Sequence, residues 1–129
     1  MRLLLLVTLL GMASAVQEPT ALPETPQGKH VRAYVEAVNS GDVKKYLAMI
    51  ETHLAPSLVA KRTPEEHTEM FNRVRGDFEK LKITKVTKAS AEGIDVIMPD
   101  QEGNEATFSF TFETAAPHRI TGIRVAIGG

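Results

Sequence analysis

The sequence predicts an α+β fold: three N-terminal helices packed on one face of a curved, four-stranded antiparallel meander. Three observations predict it. Up to about Leu81 the apolar residues recur at helical spacing, and beyond it they alternate with a period of two. The connections in the second half are too short for anything but hairpins. At 129 residues the chain suffices for one domain and would leave a second without a core of its own.

The chain opens with Met1-Arg2 and an apolar run from Leu3 to Leu10, and Ala13-Ser14-Ala15 supplies small residues at a cleavage site. That is the layout of a secretory signal peptide cut after Ala15. The apolar run is shorter than the roughly 20 residues a membrane-spanning helix needs. The expected protein is therefore exported, periplasmic or secreted, with no membrane anchor after cleavage. The alternative reading of residues 1–15 is a buried N-terminal helix. Residues 16–27 hold Pro19, Pro23 and Pro26 among Gln, Glu and Thr and read as a Pro-rich, disordered tether. The domain proper is expected over residues 28–127.

Helix one is expected from near Pro26 to the residue before Gly41, with Val31, Tyr34, Val35 and Val38 on one stripe. Asn39-Ser40-Gly41-Asp42 stops it and opens the next: Gly41 suits the left-handed conformation past a helix end, and Asp42 caps the following turn. Helix two carries Val43, Tyr46, Leu47, Ile50 and Leu54 and stops at Pro56, with Leu58-Val59 as a short extra turn. Thr63-Pro64-Glu65-Glu66 spells a capping box. Helix three then lines up His67, Met70, Phe71, Val74, Phe78 and Leu81, with Glu69 and Arg73 four apart on another face.

Strands are expected at 81–89, around Ile94, Val96 and Met98, over Ala106, Phe108, Phe110 and Phe112, and from Arg119 to Ile127 with a bulge at Gly122. On this register the inner face also takes Ile123, Val125 and Ile127. Asp95 points to the opposite face, and a slip of one residue would reverse that.

Composition excludes several classes. Lys and Arg number 15 against 16 Asp and Glu, so the formal charge of −1 lacks the basic excess of a nucleic-acid-binding domain. With no cysteine there are no disulfides, thiolate nucleophiles, iron–sulfur clusters or cysteine zinc sites, and no lipid-anchored lipoprotein. His30, His53, His67 and His118 share no metal-ligand spacing, so no metal and no cofactor are expected. Arg75-Gly76-Asp77 spells an adhesion tripeptide by chance within an amphipathic helix.

The order of elements, with Val35-Glu36-Ala37-Val38-Asn39-Ser40-Gly41-Asp42 followed by Tyr46-Leu47, resembles the nuclear transport factor 2-like superfamily, its small secreted bacterial type. The tail Pro117-His118-Arg119-Ile120-Thr121-Gly122-Ile123 resembles the last strand of small domains fused ahead of exported serine hydrolases. The superfamily holds ketosteroid isomerase, polyketide cyclases and dehydratases alongside non-catalytic binding and assembly modules. The resemblance implies a cone-shaped, cystatin-like roll with a pocket between helices and sheet, and pairing of two copies through the open sheet face. It implies no reaction.

The candidate residues follow from chemistry that such a pocket would need. An acid–base enzyme requires a proton-transfer group facing substrate, for which Asp95 and His67 are the candidates. Their ordinary readings are a solvated strand carboxylate and a core histidine with a backbone partner. Tyr34, Tyr46, Phe71, Phe108, Phe110 and Phe112 are the candidate ligand-binding set, with plain core as the default. The leading expectation is an exported non-catalytic module that binds a small apolar ligand or a protein partner. The alternatives are an isomerase-, dehydratase- or cyclase-type enzyme, and a structural domain that forms a homodimer through its polar sheet face.

Overall fold

Caps and breakers divide the helical half where the sequence places them. The computed structural model describes residues 21–128, so the expected leader at 1–15 lies outside the described residues. Thr25 caps α1 (Pro26–Ser40), Asp42 caps α2 (Val43–His53), and Thr63 and Glu66 close the full capping box on α4 (Pro64–Phe78). Between them Pro56 takes the first position of a four-residue helix, α3 (Pro56–Val59), which is the extra turn at Leu58-Val59. Four strands follow: β1 (Lys85–Ala89), β2 (Gly93–Pro99), β3 (Glu105–Phe112) and β4 (Ile120–Ile127). They pair antiparallel in sequence order, so the class is α+β with an open meander.

The helices cover one sheet face. Val86, Ile94, Val96, Met98, Ala106, Phe108, Phe110, Phe112 and Ile120 are all buried against α1, α2 and α4, while Asp95, Ile97, Thr107 and Ser109 occupy the alternate, half-buried positions. Asp95 therefore sits on the outer face, as the period of two requires. The cover fails along β4. Val125 lies opposite Phe108 yet is 42% exposed, and Ile127 opposite Ala106 is 55% exposed. Ile123, Val125 and Ile127 take the inner face as expected, but their cover thins along the strand: Ile123 is half-buried against the core, whereas Val125 and Ile127 are exposed because the helical layer is narrower than the sheet.

Both edge strands carry an extra residue. Register slips leave Thr87 of β1 and Thr121 of β4 without an opposite number, the second next to the expected Gly122. Such bulges bend and twist a strand.

Three boundaries differ from the sequence reading. Of the expected tether, residues 21–27 are described, and Leu22 and Gln27 are buried. The Pro23 carbonyl packs so closely on Gly28 that a Cβ there would stand 2.0 Å from its oxygen. Thr25 Oγ1 accepts from Gly28 N at 3.1 Å, and Gln27 Nε2 donates to Ala91 O at 3.3 Å. The proline-rich composition hid a segment that docks through one leucine. At the other end of the helical layer, α4 stops at Phe78, where Glu79 turns at φ 62 and its N–H bonds Arg75 O. Consequently β1 starts at Lys85, and residues 81–84 are an irregular link.

That link is held by the end of α1. Asn39 Nδ2 donates to Leu81 O at 2.9 Å, and Leu81 N donates back to Asn39 Oδ1 at 2.7 Å. Arg75 Nη1 donates to Val38 O, and Lys80 Nζ to Asn39 O, so the last carbonyls of α1 meet two cations. Gly41 adopts φ 71, and a Cβ on it would press within 3.3 Å of the Arg75 guanidinium.

Removing the Asn39 amide strands the Leu81 peptide at a part-buried position. Asn39→Ala should lower unfolding free energy by about 2 kcal/mol, and Gly41→Ala by about 1–2 kcal/mol, in urea denaturation. A loss below a few tenths of a kcal/mol for Asn39→Ala would show that the clamp carries no stability.

Candidate functional site

Six aromatic rings run in sequence through the interior. Phe71 of α4 touches Tyr46 of α2, with ring centroids 5.0 Å apart, and Tyr46 touches Tyr34 of α1 at 6.4 Å. Tyr34 meets Phe110 edge-on at 5.6 Å, Phe110 stacks beside Phe108, and Phe108 returns to Phe78 of α4 at 5.2 Å. The six form a circuit closed by α4 itself, which carries both Phe71 and Phe78.

Beside the circuit lies a cavity of about 340 Å³ between α2, α3, α4 and the exposed half of β4. Leu54, Leu58, Met70, Val74, Phe78, Ile123 and Val125 make its apolar wall. Tyr34, Tyr46 and His67 contribute polar atoms, and Arg62, Arg73 and Asp77 stand at the exposed rim. The size falls within the range of small-molecule sites, and a few polar groups in an apolar wall is their usual makeup.

The two tyrosines reach this wall for a local reason. Tyr34 lies on the buried stripe of α1 with Val31 and Val38, and Tyr46 on that of α2 with Met49 and Ile50. Their rings pack in the circuit. Among the described residues no protein hydrogen bond engages either hydroxyl, and neither is fully enclosed; the one enclosed side-chain atom without a hydrogen bond is Arg119 Nε, which faces Glu113 Oε1 at 3.5 Å. Both hydroxyls are therefore open to the cavity. Burial pushes the Tyr34 phenol far above its ordinary range, with Tyr46 adding to the rise. Burial also raises Tyr46, opposed by the nearby Arg62 cation. Both stay protonated and can donate.

His67 is buried, and its Nε2–H donates to Val59 O at 2.9 Å, because a carbonyl can only accept. The backbone partner is the one its place on the α4 stripe implied. That bond orients the ring and leaves Nδ1 as its unprotonated nitrogen in the neutral state. Asp95 is not in the cavity. It lies across the sheet, opposite Ser109 and Lys88. Of the six aromatic candidates Tyr34 and Tyr46 line the cavity, whereas Phe71, Phe108, Phe110 and Phe112 are buried in the core and do not line it. Asp42 is a cap, its Oδ1 accepting from Lys44 N at 2.9 Å.

Sequence reasoning passed over the two rim arginines. The four-residue spacing pairs Arg73 with Glu69, but the ion pairs among the described residues are Arg32–Glu24 and Arg119–Glu113. Arg73 instead borders the cavity between Met70 and Val74. Arg62 precedes the cap of α4, and nothing in its neighbours marks it.

A second polar cluster was also invisible in the spacing. His30 Nδ1 and His53 Nδ1 lie 2.9 Å apart, and His30 Nε2 donates to Pro117 O at 2.8 Å. The pair joins α1, the end of α2 and the turn before β4. One proton fits between the facing nitrogens and two do not. Among the described residues no three His, Asp or Glu side chains are grouped to hold a metal. No helix there is long and apolar enough to cross a membrane.

No family model matches the chain, and no curated protein or solved structure matches it significantly.

Burial lowers the proton affinity of His53, and the neighbouring His30 lowers it further. The unfolded chain therefore takes up that proton more readily than the folded one. The stability this involves is complete above about pH 6.5, and it falls as pH drops toward the lower folded value. Thermal melts between pH 7.5 and 5 should show a declining melting temperature, and the decline should flatten in His53→Gln. Parallel curves for the two proteins would remove the pair as its cause.

Proposed function

We propose that this chain is an exported, non-catalytic module of the nuclear transport factor 2-like type that holds a small, largely apolar ligand in the cavity beside Tyr34 and Tyr46. One observation carries the reading. Among the described residues no protein hydrogen bond engages the two phenol hydroxyls that open into this apolar-walled cavity, so both donors are free to meet an acceptor held there. A ligand that accepts from them while filling the apolar volume uses both features of the wall. The signal-peptide layout of residues 1–15 supports export, and the Asn39-Ser40-Gly41-Asp42 junction supports the superfamily.

An acid–base enzyme is the second reading, favoured by His67 in the cavity wall with a fixed tautomer. It stands second because His67 gives its hydrogen bond to a backbone carbonyl, where catalytic triads pair the histidine with a carboxylate.

The module reading is tested with an apolar fluorescent probe and by native mass spectrometry. The probe should bind one-to-one, and Leu58→Trp, which fills the half-buried wall, should weaken it by about tenfold or more with the fold intact. Unchanged binding in Leu58→Trp would refute this site. Turnover of an enolisable ketone that is lost in His67→Gln, with probe binding retained, would put the enzyme first.

A further inference from the structure

The rim of the cavity is charged, and its charges are not neutralised by one another. Arg62 and Arg73 both border the opening, and neither makes an ion pair among the described residues. Asp77 stands one helical turn from Arg73 on α4 and is likewise without an ion-pair partner. Two cations and one anion leave the rim with a single positive charge. Below it the wall is apolar, with the Tyr46 hydroxyl on the Arg62 side, where that cation acts on the phenol.

We infer that the ligand is a single-chain amphiphile with a monoanionic carboxylate head: a medium-chain carboxylate whose head meets Arg62 and Arg73 and whose chain fills the apolar volume. The inference rests on the cavity reading above and adds the ligand's charge and length. A guanidinium presents a planar fork of donors that matches a carboxylate. The head carries one negative charge because Asp77 disfavours a second, which sets a carboxylate above a phosphate monoester. The length follows from the volume. A cavity of about 340 Å³ lies at the lower end of the range of small-molecule sites, which suits a medium chain and its head.

The test is calorimetric titration of the full folded chain with octanoate, 1-octanol and octyl phosphate. Octanoate should bind about tenfold more tightly than 1-octanol, the worth of one charge-assisted contact at an exposed rim. The double variant Arg62→Gln/Arg73→Gln should erase that difference and leave 1-octanol unchanged. Both side chains are exposed, so the fold should survive, which circular dichroism checks. Asp77→Asn should tighten octanoate. Equal binding of octanoate and 1-octanol, both sensitive to Leu58→Trp, would overturn the charge assignment while leaving the cavity reading in place. Tighter binding of octyl phosphate than of octanoate would overturn the single-charge argument. Failure of all three to bind would defeat this inference, and with it the cavity reading if the fluorescent probe also ignores Leu58→Trp.

Discussion

The amide of Asn39 grips the Leu81 peptide from both sides, donating to its carbonyl and accepting from its N–H. That one clamp fixes where the helical layer gives way to the sheet. Leu81 is the last fully buried residue before β1, so the position of the first strand under the helices is set from the end of α1. Arg75 and Lys80 fasten the same end through Val38 O and Asn39 O, and Gly41 lets the chain turn beneath the guanidinium without collision. Asp42 then starts α2 at once. Four consecutive residues thus stop one helix, begin another and anchor a link more than forty positions away.

The cavity depends on this arrangement. α4 closes the aromatic circuit at both ends, and the circuit holds the tyrosine rings so that their hydroxyls face inward. Aromatic pairs gain from such offset and edge-on contacts. The rings thus hold the two hydroxyls beside a wall that is otherwise mostly aliphatic: Leu54, Leu58, Met70, Val74, Ile123 and Val125. The opening exists for a different reason: the sheet is wider than the helices that cover it, so Val125 remains exposed at the mouth.

What could be read from the sequence, and what could not, separates along the same physical line. Caps, helix stops and strand alternation are local, and Thr63, Asp42, Gly41 and the phenylalanine series announced them directly. The outward direction of Asp95 followed from period alone. Leu22 was missed because a single apolar residue in a proline-rich stretch carries no period. The missed rim arginines and the His30–His53 contact are tertiary facts. Their partners come from elements far apart in the chain, and no spacing rule encodes them. The thinning cover over β4 is a tertiary fact of the same kind, since alternation tells which way a side chain points and says nothing of what lies over it.

The two margins of the sheet are not equivalent. β1 presents Lys85 and Lys88 and the Thr87 bulge, devices that repel a further strand. On β4, Ala55 N already bonds Ile120 O and Leu54 bridges the same residue, so the start of that strand is occupied, while its end, with Val125 and Ile127, stands open among the described residues. A filament needs two adhesive margins on every subunit, because each must both give and receive. With Lys85, Lys88 and the Thr87 bulge on β1, the described sheet offers a free strand end on one margin only, which is less than a growing stack of edge-paired copies requires.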